Sequence, residues 1–512
     1  MIGSVLVFYE AVKGFHKKRL FLNFYFIIFI AALSLTRISP QNLLNGENFI
    51  SNFLYVGIPL LFFSVLIVTY IKSYKKDEKL FEDFSKINFS YLFLFSFSFF
   101  SIISLRGAIR LFFIVHPFII LLSSYFLIQI LSYFLKIKDS LSRFFFLIGL
   151  VIIIFLFSNN FFVQAISTSQ SAKATVPSSY NQQWQKAMAW VRENTPENSI
   201  FVHWWDYGYW IQTLGKRATV TDGGHADEWW DYTTARYLLT TPKPETALSL
   251  MKTYNVSYLL IDSTDVGKYS AFSSIGSDET GKDRFSFIPI MPLDTRQIRE
   301  TNNKTSLVYT GGSQLDVDII YKNNETDLFL PSERAFLAGI ILEYSKNKSE
   351  ISFSQPAGVF VYNNKRYDIP IRYLYYNNKI HDFETGINSL IRVIPGVQQS
   401  AQQIEINPFG AVIYLSEKTK DTLFSQLYLL DDPQGVYPTI KISHVEDDFF
   451  VSLLKQQGFD MGDFVYYQGL RGPIKIWKVE YPENTKTYSE FLDYKYVPGI
   501  LDKYFYQNEI KK

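Results

Sequence analysis

The sequence predicts a multi-pass α-helical membrane domain followed by an exterior α/β core domain and a β-rich peripheral domain. Three observations carry that prediction. Apolar runs recur at about 20–35, 52–71, 88–105, 111–135 and 144–163, most of them near the roughly 20 residues a bilayer-spanning helix needs. Beyond residue 180, short apolar strands alternate with amphipathic helices, the pattern of a parallel sheet covered by helices. Beyond about residue 345 this alternation gives way to strand-like runs. The expected divisions are 1–165 for about five spans, 166–180 for a linker, 181–345 for the α/β domain and 346–512 for the periphery.

The first run follows Lys13, Lys17, Lys18 and Arg19, so alone it has the form of a signal peptide. Four further spans favour a signal anchor or an ordinary helix. The connection 72–87 carries Lys72, Lys75, Lys76, Lys79 and Lys86, and 136–143 carries Lys136, Lys138 and Arg143, whereas 36–51 holds only Arg37. Basic residues stay on the cytoplasmic side, so five spans place everything after about residue 164 on the exterior of a cell membrane. "STSQSAKATVPSSYNQ", from 167, has linker composition.

In the exterior part, "QQWQKAMAWVRENTPENS" predicts an amphipathic helix closed by Pro196, and "IFVHW" a short strand. "RATVTD" predicts a second strand and "ADEWWDYTTARYLL" a helix; "PETALSLMKTY" and "VSYLLID" add a third helix and strand. From 346 onward, "ISFSQPAGVFVYNNKRYDIPIRYLYYNNKI", "FGAVIYLS" and "GPIKIWKVEY" predict strands, with some helix around 418–430.

Composition narrows the function. Charge is balanced, with 50 Lys and Arg against 48 Asp and Glu, which argues against a general nucleic-acid binder. Cysteine is absent, which removes disulfides, a thiol nucleophile and thiolate metal sites. The chemistry concentrates in two near-copies, "HWWDYGYW" at 203–210 and "DEWWDYTT" at 227–234. The first follows a strand directly, at the carboxyl end where open α/β sheets bind ligands; the second falls inside a helix and is assigned a packing role.

A carboxylate between indole N–H groups treats a hydroxyl both ways, accepting its proton and donating to its oxygen. Such a site rejects analogues that lack the hydroxyl, so Ser and Thr side chains are natural ligands for Trp204, Trp205 and Asp206. The same letters also suit an aromatic cluster in a core with a satisfied Asp. A second stretch, "DVGKYSAFSSI", follows the third strand and reaches the same sheet edge. There Lys268 is placed to pair with Asp206, and Ile275 to meet a methyl group. An ordinary loop entering a helix fits Asp265 and Lys268 equally well.

With these residues in hand, the chain resembles the catalytic subunit of oligosaccharyltransferase, in its archaeal form a dolichyl-phosphooligosaccharide-protein glycotransferase. "WWDYG" at 204–208 is similar to that family's signature. Asp265, Lys268 and Ile275 match the spacing of its second signature, D-x-x-K-x-x-x-M-x-x-I, with Phe272 where the pattern has Met. The resemblance is close from about 85 to 300 and looser elsewhere.

The resemblance implies transfer of an oligosaccharide from a polyprenyl phosphate carrier to Asn in Asn-x-Ser/Thr sequons. It assigns the sequon hydroxyl to Trp204, Trp205 and Asp206, and lines the same pocket with Asp265, Lys268 and Ile275. It makes Arg110, in "RGAIRLFFIVHPF", the expected contact of the carrier's phosphate; an anchor at the membrane interface is the other reading, and the one favoured for Arg106. It also implies Mn or Mg held by acidic motifs on exterior loops among early helices. Those roughly eight helices have no counterpart in this sequence, so no metal ligand is identified in it.

The expected Ser/Thr-x-x-Glu motif is likewise absent from loop 36–51, whose only acidic residue, Glu47, is the remaining candidate. The expected partners are the lipid-linked oligosaccharide, acceptor polypeptides, membrane lipid and a separate amino-terminal chain, with no nucleic acid. A non-catalytic, membrane-anchored sequon-binding or regulatory subunit is the alternative, and a scaffold whose WWDYG only packs is a third. His203, His225 and Asp227 are read as structural or surface residues rather than a metal site. Asn255, Asn303, Asn324 and Asn347 open Asn-x-Ser/Thr triplets that occur readily by chance in an Asn-rich sequence.

Overall fold

The computed structural model describes residues 2–36, 43–45, 48–107, 112–174, 180–323, 326–347, 350–399, 404–459, 461–493 and 502. The chain divides into two units, Met1–Thr175 and Val176–Lys512.

The first unit is helical: α1 (Ile2–Ala11), α2 (His16–Leu35), α3 (Ile58–Lys76), α4 (Glu78–Ser85), α5 (Phe89–Gly107), α6 (Phe112–Lys136) and α7 (Ser140–Ala174). Among the described residues four spans are long and apolar enough to cross a membrane, or five if the bent pair α4 and α5 counts as one. Their outward faces are apolar all round, as lipid requires. Inside, phenylalanines pack ring on ring: Phe8 stacks on Phe26 at 4.2 Å and Phe29 on Phe62 at 4.6 Å. The short apolar helix α1 adds to this core and has no counterpart among the predicted spans. The expected linker is also shorter than its composition suggests. α7 runs on through Ala174, because Ser, Gln and Ala without Gly or Pro do not stop a helix.

In the second unit, α8 (Gln182–Asn194) is capped by Asn181, whose side chain accepts from the Trp184 backbone N–H at 3.1 Å. It buries Trp184, Met188 and Val191. Next come β1 (Ile200–Val202), α9 (Gly208–Thr213), β2 (Ala218–Thr219), α10 (Glu228–Thr234), α11 (Pro244–Thr253), β3 (Tyr258–Ile261) and α12 (Asp265–Ile275). β1 pairs in parallel with both neighbours, Phe201 against Thr219 of β2 and Tyr258 of β3. β3 is buried along its whole length, which is why it is a continuous apolar run.

Two features differ from expectation. The sheet is mixed: β4 (Ile440–Glu446) and β5 (Ile474–Val479) return from the end of the chain, and β5 runs antiparallel to β3. These residues, placed in the periphery by sequence, complete the core in the order β4-β5-β3-β1-β2. The alternation "IKIWKV" announces a strand but not its partner. Conversely, strands of the β-rich sheet begin at Ile290 rather than at 346, with Thr305–Gln314 antiparallel to Phe336–Asn347. The alternation of helix and strand in fact ends with α12.

Candidate functional site

β1 and β3 are parallel neighbours, so the segments leaving their carboxyl ends emerge side by side. From β1 the chain runs through His203 and Trp204 into one tight turn, Trp205–Tyr207, and directly into α9. From β3 it runs through Asp262 into α12. Gly208 makes the first path possible. A Cβ there would sit 2.4 Å from Asp222 Cβ and 2.5 Å from the Thr221 carbonyl oxygen, so the loop after β2 lies against bare backbone. Gly208→Ala is expected to cost about 1–3 kcal/mol through forced backbone movement. Unfolding followed by tryptophan fluorescence measures it, since all eight tryptophans lie in the second unit.

One network joins the two segments. The Lys268 ammonium lies 3.0 Å from Asp206 Oδ2, and it donates to the Tyr207 hydroxyl, also at 3.0 Å. Tyr207 in turn donates to Asp265 Oδ1 at 2.6 Å. Asp265 Oδ2 accepts the Asp262 backbone N–H at 3.1 Å, and Asp262 Oδ1 accepts the Thr264 backbone N–H at 2.8 Å. Trp184 of α8 stacks on the Tyr207 ring at 4.6 Å and holds it upright.

The network is graded in burial. The Asp206 and Lys268 side chains are 27% and 31% exposed, whereas Asp265 is 2% exposed. Burial, and then the Asp262 charge, push the Asp265 carboxyl up to about 7. Burial also raises Asp262. Helical spacing turns Asp265 and Phe272 toward the core and leaves Lys268 and Ile275, seven residues apart, along the exposed edge of α12. Ile275 ends the helix, about 10 Å along its axis from Lys268.

The indoles complete the site. Trp204 is 2% exposed and packs on Phe272, ring centroids 5.4 Å apart. Trp205 is half-buried. Among the described residues neither indole N–H has an acceptor, although buried tryptophans usually find one. Two donors and a carboxylate thus stand at one sheet edge with hydrogen-bonding capacity to spare. That set suits a ligand hydroxyl.

The second copy is not independent of the first. Trp229 and Tyr232 are fully buried, and Trp229 donates to the Phe491 carbonyl at 2.9 Å. Asp231, however, holds His225 Nδ1 at 2.6 Å, and the His225 ring meets Trp205 edge-on, centroids 4.3 Å apart. His225 reaches this position from a left-handed backbone, φ 46°. Burial raises the Asp231 carboxyl. The sequence reading missed this support of Trp205, whose signal was the repeat itself. His225→Ala is expected to weaken binding of a ligand on Trp205 about three- to tenfold, the worth of one aromatic contact, with the fold intact. A fluorescence titration with an Asn-x-Thr peptide measures it.

His203 stands elsewhere. It is fully buried between the Trp204 carbonyl, at 2.6 Å from Nδ1, and Thr219 Oγ1, at 2.5 Å from Nε2. Burial pushes its pKa down to about 4, so it braces the loop as a neutral ring. Asp227 caps α10 by accepting from the Trp229 backbone N–H at 2.9 Å. Among the described residues no group of three His, Asp or Glu side chains is arranged to hold a metal ion. Glu47 and Arg110 lie outside the described residues, and Arg106 falls in the last turn of α5. Asn255 and Asn303 are exposed, Asn347 ends its strand, and Asn324 lies outside the described residues.

Comparison with known proteins places this geometry. Over 152 residues the chain is 30% identical to dolichyl-phosphooligosaccharide-protein glycotransferase 1 of Pyrococcus furiosus, covering 26% of this chain and 15% of that protein. Over 102 residues it is 33% identical to the Pyrococcus horikoshii protein of the same name, covering 20% and 10%. The matches thus span only a small part of these relatives' length. A crystal structure of the Archaeoglobus fulgidus oligosaccharyltransferase, tethered with an acceptor peptide containing the NVT sequon, aligns with TM-score 0.37 at 12% identity, covering 93% of this chain and 63% of that one. Residues 197–322, which contain both signatures, match the STT3/PglB/AglB core domain.

Proposed function

We propose that this chain acts in transfer of an oligosaccharide from a polyprenyl (dolichyl) phosphate carrier to Asn in Asn-x-Ser/Thr sequons. Its own part is to read the sequon and to face the lipid phosphate. The observation that carries the reading is the pair of indole donors, without an acceptor among the described residues, beside the Asp206–Lys268 ion pair. A Ser or Thr hydroxyl donates to Asp206 and accepts from an indole N–H, while Lys268 fixes the carboxylate in place. Ile275, on the same edge of α12, meets the Thr methyl group. The Asn amide nitrogen attacks the anomeric carbon, the bond from that carbon to the phosphate oxygen breaks, and the phosphate leaves with the electron pair as the amide loses a proton. Arg110 is the side chain assigned to that phosphate, where a guanidinium offsets the growing charge. The second unit faces the exterior on this reading, because the Lys-rich connections stay cytoplasmic.

Relatives of this family imply a divalent metal, Mn or Mg. Among the described residues no group of His, Asp or Glu side chains fits one. That misfit favours a second reading, a membrane-anchored subunit that binds sequons without catalysis. Membranes containing the chain, freed of the host's own catalytic subunit and given Mn, lipid-linked glycan and an Asn-x-Thr peptide, separate the two. Transfer lost with Asp206→Ala supports the enzyme. Peptide binding without transfer, with or without a chain bearing early helices, supports the binding subunit. Absence of both binding and transfer overturns either reading.

A further inference from the structure

The membrane unit has a polar cleft that the glycosyl-transfer reading does not use. It lies between α2 and α3, encloses about 480 Å³, and receives three lysines, Lys18 from α2 and Lys72 and Lys76 from α3. α2 and α3 run in opposite directions, so the start of one and the end of the other share one end of the unit. On α3 the lining follows one helix face at spacings of three and four residues, from Ser64, Val65 and Val68 through Thr69 to Lys72, Ser73 and Lys76. The face is apolar at its inner end and cationic at its outer end. From Val65 to Lys76 it extends about 16 Å at the helical rise. That is the polarity profile of a phospholipid's upper half.

Some neighbouring cations are engaged elsewhere. Lys13 pairs with Glu10 at 3.3 Å, Lys86 with Glu82 at 3.1 Å, and Arg19 lies over the Tyr9 ring at 3.3 Å. Among the described residues Lys18, Lys72 and Lys76 form no ion pair. The one carboxylate in the lining, Asp77, is engaged at the start of α4, where it accepts the Leu80 backbone N–H at 3.2 Å. Topology alone asks for positive charge at this end of the helices, not for its convergence on one cleft. Lys75 and Lys79, equally basic, do not line it.

We propose that this cleft binds an anionic phospholipid, its phosphate among Lys18, Lys72 and Lys76 and its acyl chain along Val65, Val68 and Phe21. Basic pockets between membrane helices recognise anionic head groups in this way.

The test is lipid retention by the full chain, purified in detergent and read by native mass spectrometry. The protein is supplied with phosphatidylglycerol, with phosphatidylcholine, or with phosphatidylglycerol and excess inorganic phosphate. The intact chain is expected to keep phosphatidylglycerol in preference to phosphatidylcholine, with inorganic phosphate failing to displace it. Lys18→Gln, Lys72→Gln and Lys76→Gln are each expected to weaken retention about fivefold, and the triple variant to abolish the preference. Lys75→Gln combined with Lys79→Gln, on other faces, is expected to leave it unchanged. Single variants carry the test if the triple variant does not fold. Equal retention of the two lipids, displacement by inorganic phosphate, retention unaffected in the cleft variants, or equal loss in the control overturns the proposal.

Discussion

Asp206→Ala is expected to reduce affinity for an Asn-x-Thr peptide about 10- to 100-fold and to erase discrimination against Asn-x-Ala. The carboxylate is the acceptor that the two indole donors cannot replace. A hydrogen bond to a charged group is worth about 1.5–3 kcal/mol, which spans that range. Lys268 in addition loses its partner at 3.0 Å and keeps the Tyr207 hydroxyl at 3.0 Å and Asp265 at 3.9 Å. A cation released in this way recruits water into the place of the Thr side chain. Asp206→Asn, which keeps one acceptor oxygen, is expected to fall between the two. Because Asp206 and Lys268 act as one unit, their alanine double variant is expected to cost little more than Asp206→Ala alone. Titration of the intact chain with Thr- and Ala-containing peptides, read by tryptophan fluorescence, measures all of this. Equal affinity of the unaltered chain for both peptides would remove hydroxyl reading as the purpose of the site.

The parts of this site that were legible in the sequence are those fixed by chain order. A strand followed by Trp204–Asp206 and a parallel strand followed by Asp265–Lys268 must end at the same sheet edge, and the expected pair is present at 3.0 Å. What stayed hidden depends on backbone geometry without a periodic signature. His225 approaches Trp205 only because the turn after Gly224 enters the left-handed region, and its anchor Asp231 was read as part of a packing helix. Tyr207 was passed over because one letter inside a motif says nothing of its partners; in the fold its hydroxyl links Lys268 to Asp265. Phe272, the departure from the family pattern, turns out to be core, fully buried behind Trp204, where one large apolar side chain can stand in for another. The fold was legible in kind but not in its borders. Alternation predicts strands, yet "IKIWKV" pairs with whichever edge is free, and here that edge was β3.

The contribution of Asp265 to the stability of the second unit is expected to fall as pH rises from about 4 to about 7, against the opposite contribution of His203, whose pKa of about 4 in the fold favours folding as pH rises toward 6.5. Asp265 carries the effect. In the unfolded chain its carboxyl ionises at the ordinary 3.8, whereas in the fold burial and the Asp262 charge hold the proton until about 7. Between these values the unfolded chain has given up a proton that the fold still keeps, so ionisation favours unfolding. A shift of this size corresponds to about 4 kcal/mol. Asp262, raised by burial as well, acts in the same direction. Asp265→Asn removes this titration but keeps one acceptor oxygen, for the Tyr207 hydroxyl or the Asp262 backbone N–H and not for both, so it is expected to remove the Asp265 contribution from the pH slope and leave the rising His203 contribution. The same change removes a negative charge 3.9 Å from Lys268, leaving the ammonium to Asp206 and the Tyr207 hydroxyl. Peptide affinity is expected to drop several-fold. Denaturant unfolding of the intact chain at pH 4, 6 and 8, followed by its tryptophans, measures the first effect, and peptide titration the second. A pH slope between 4 and 7 that is the same in the parent and in Asp265→Asn would show that Asp265 does not carry this contribution.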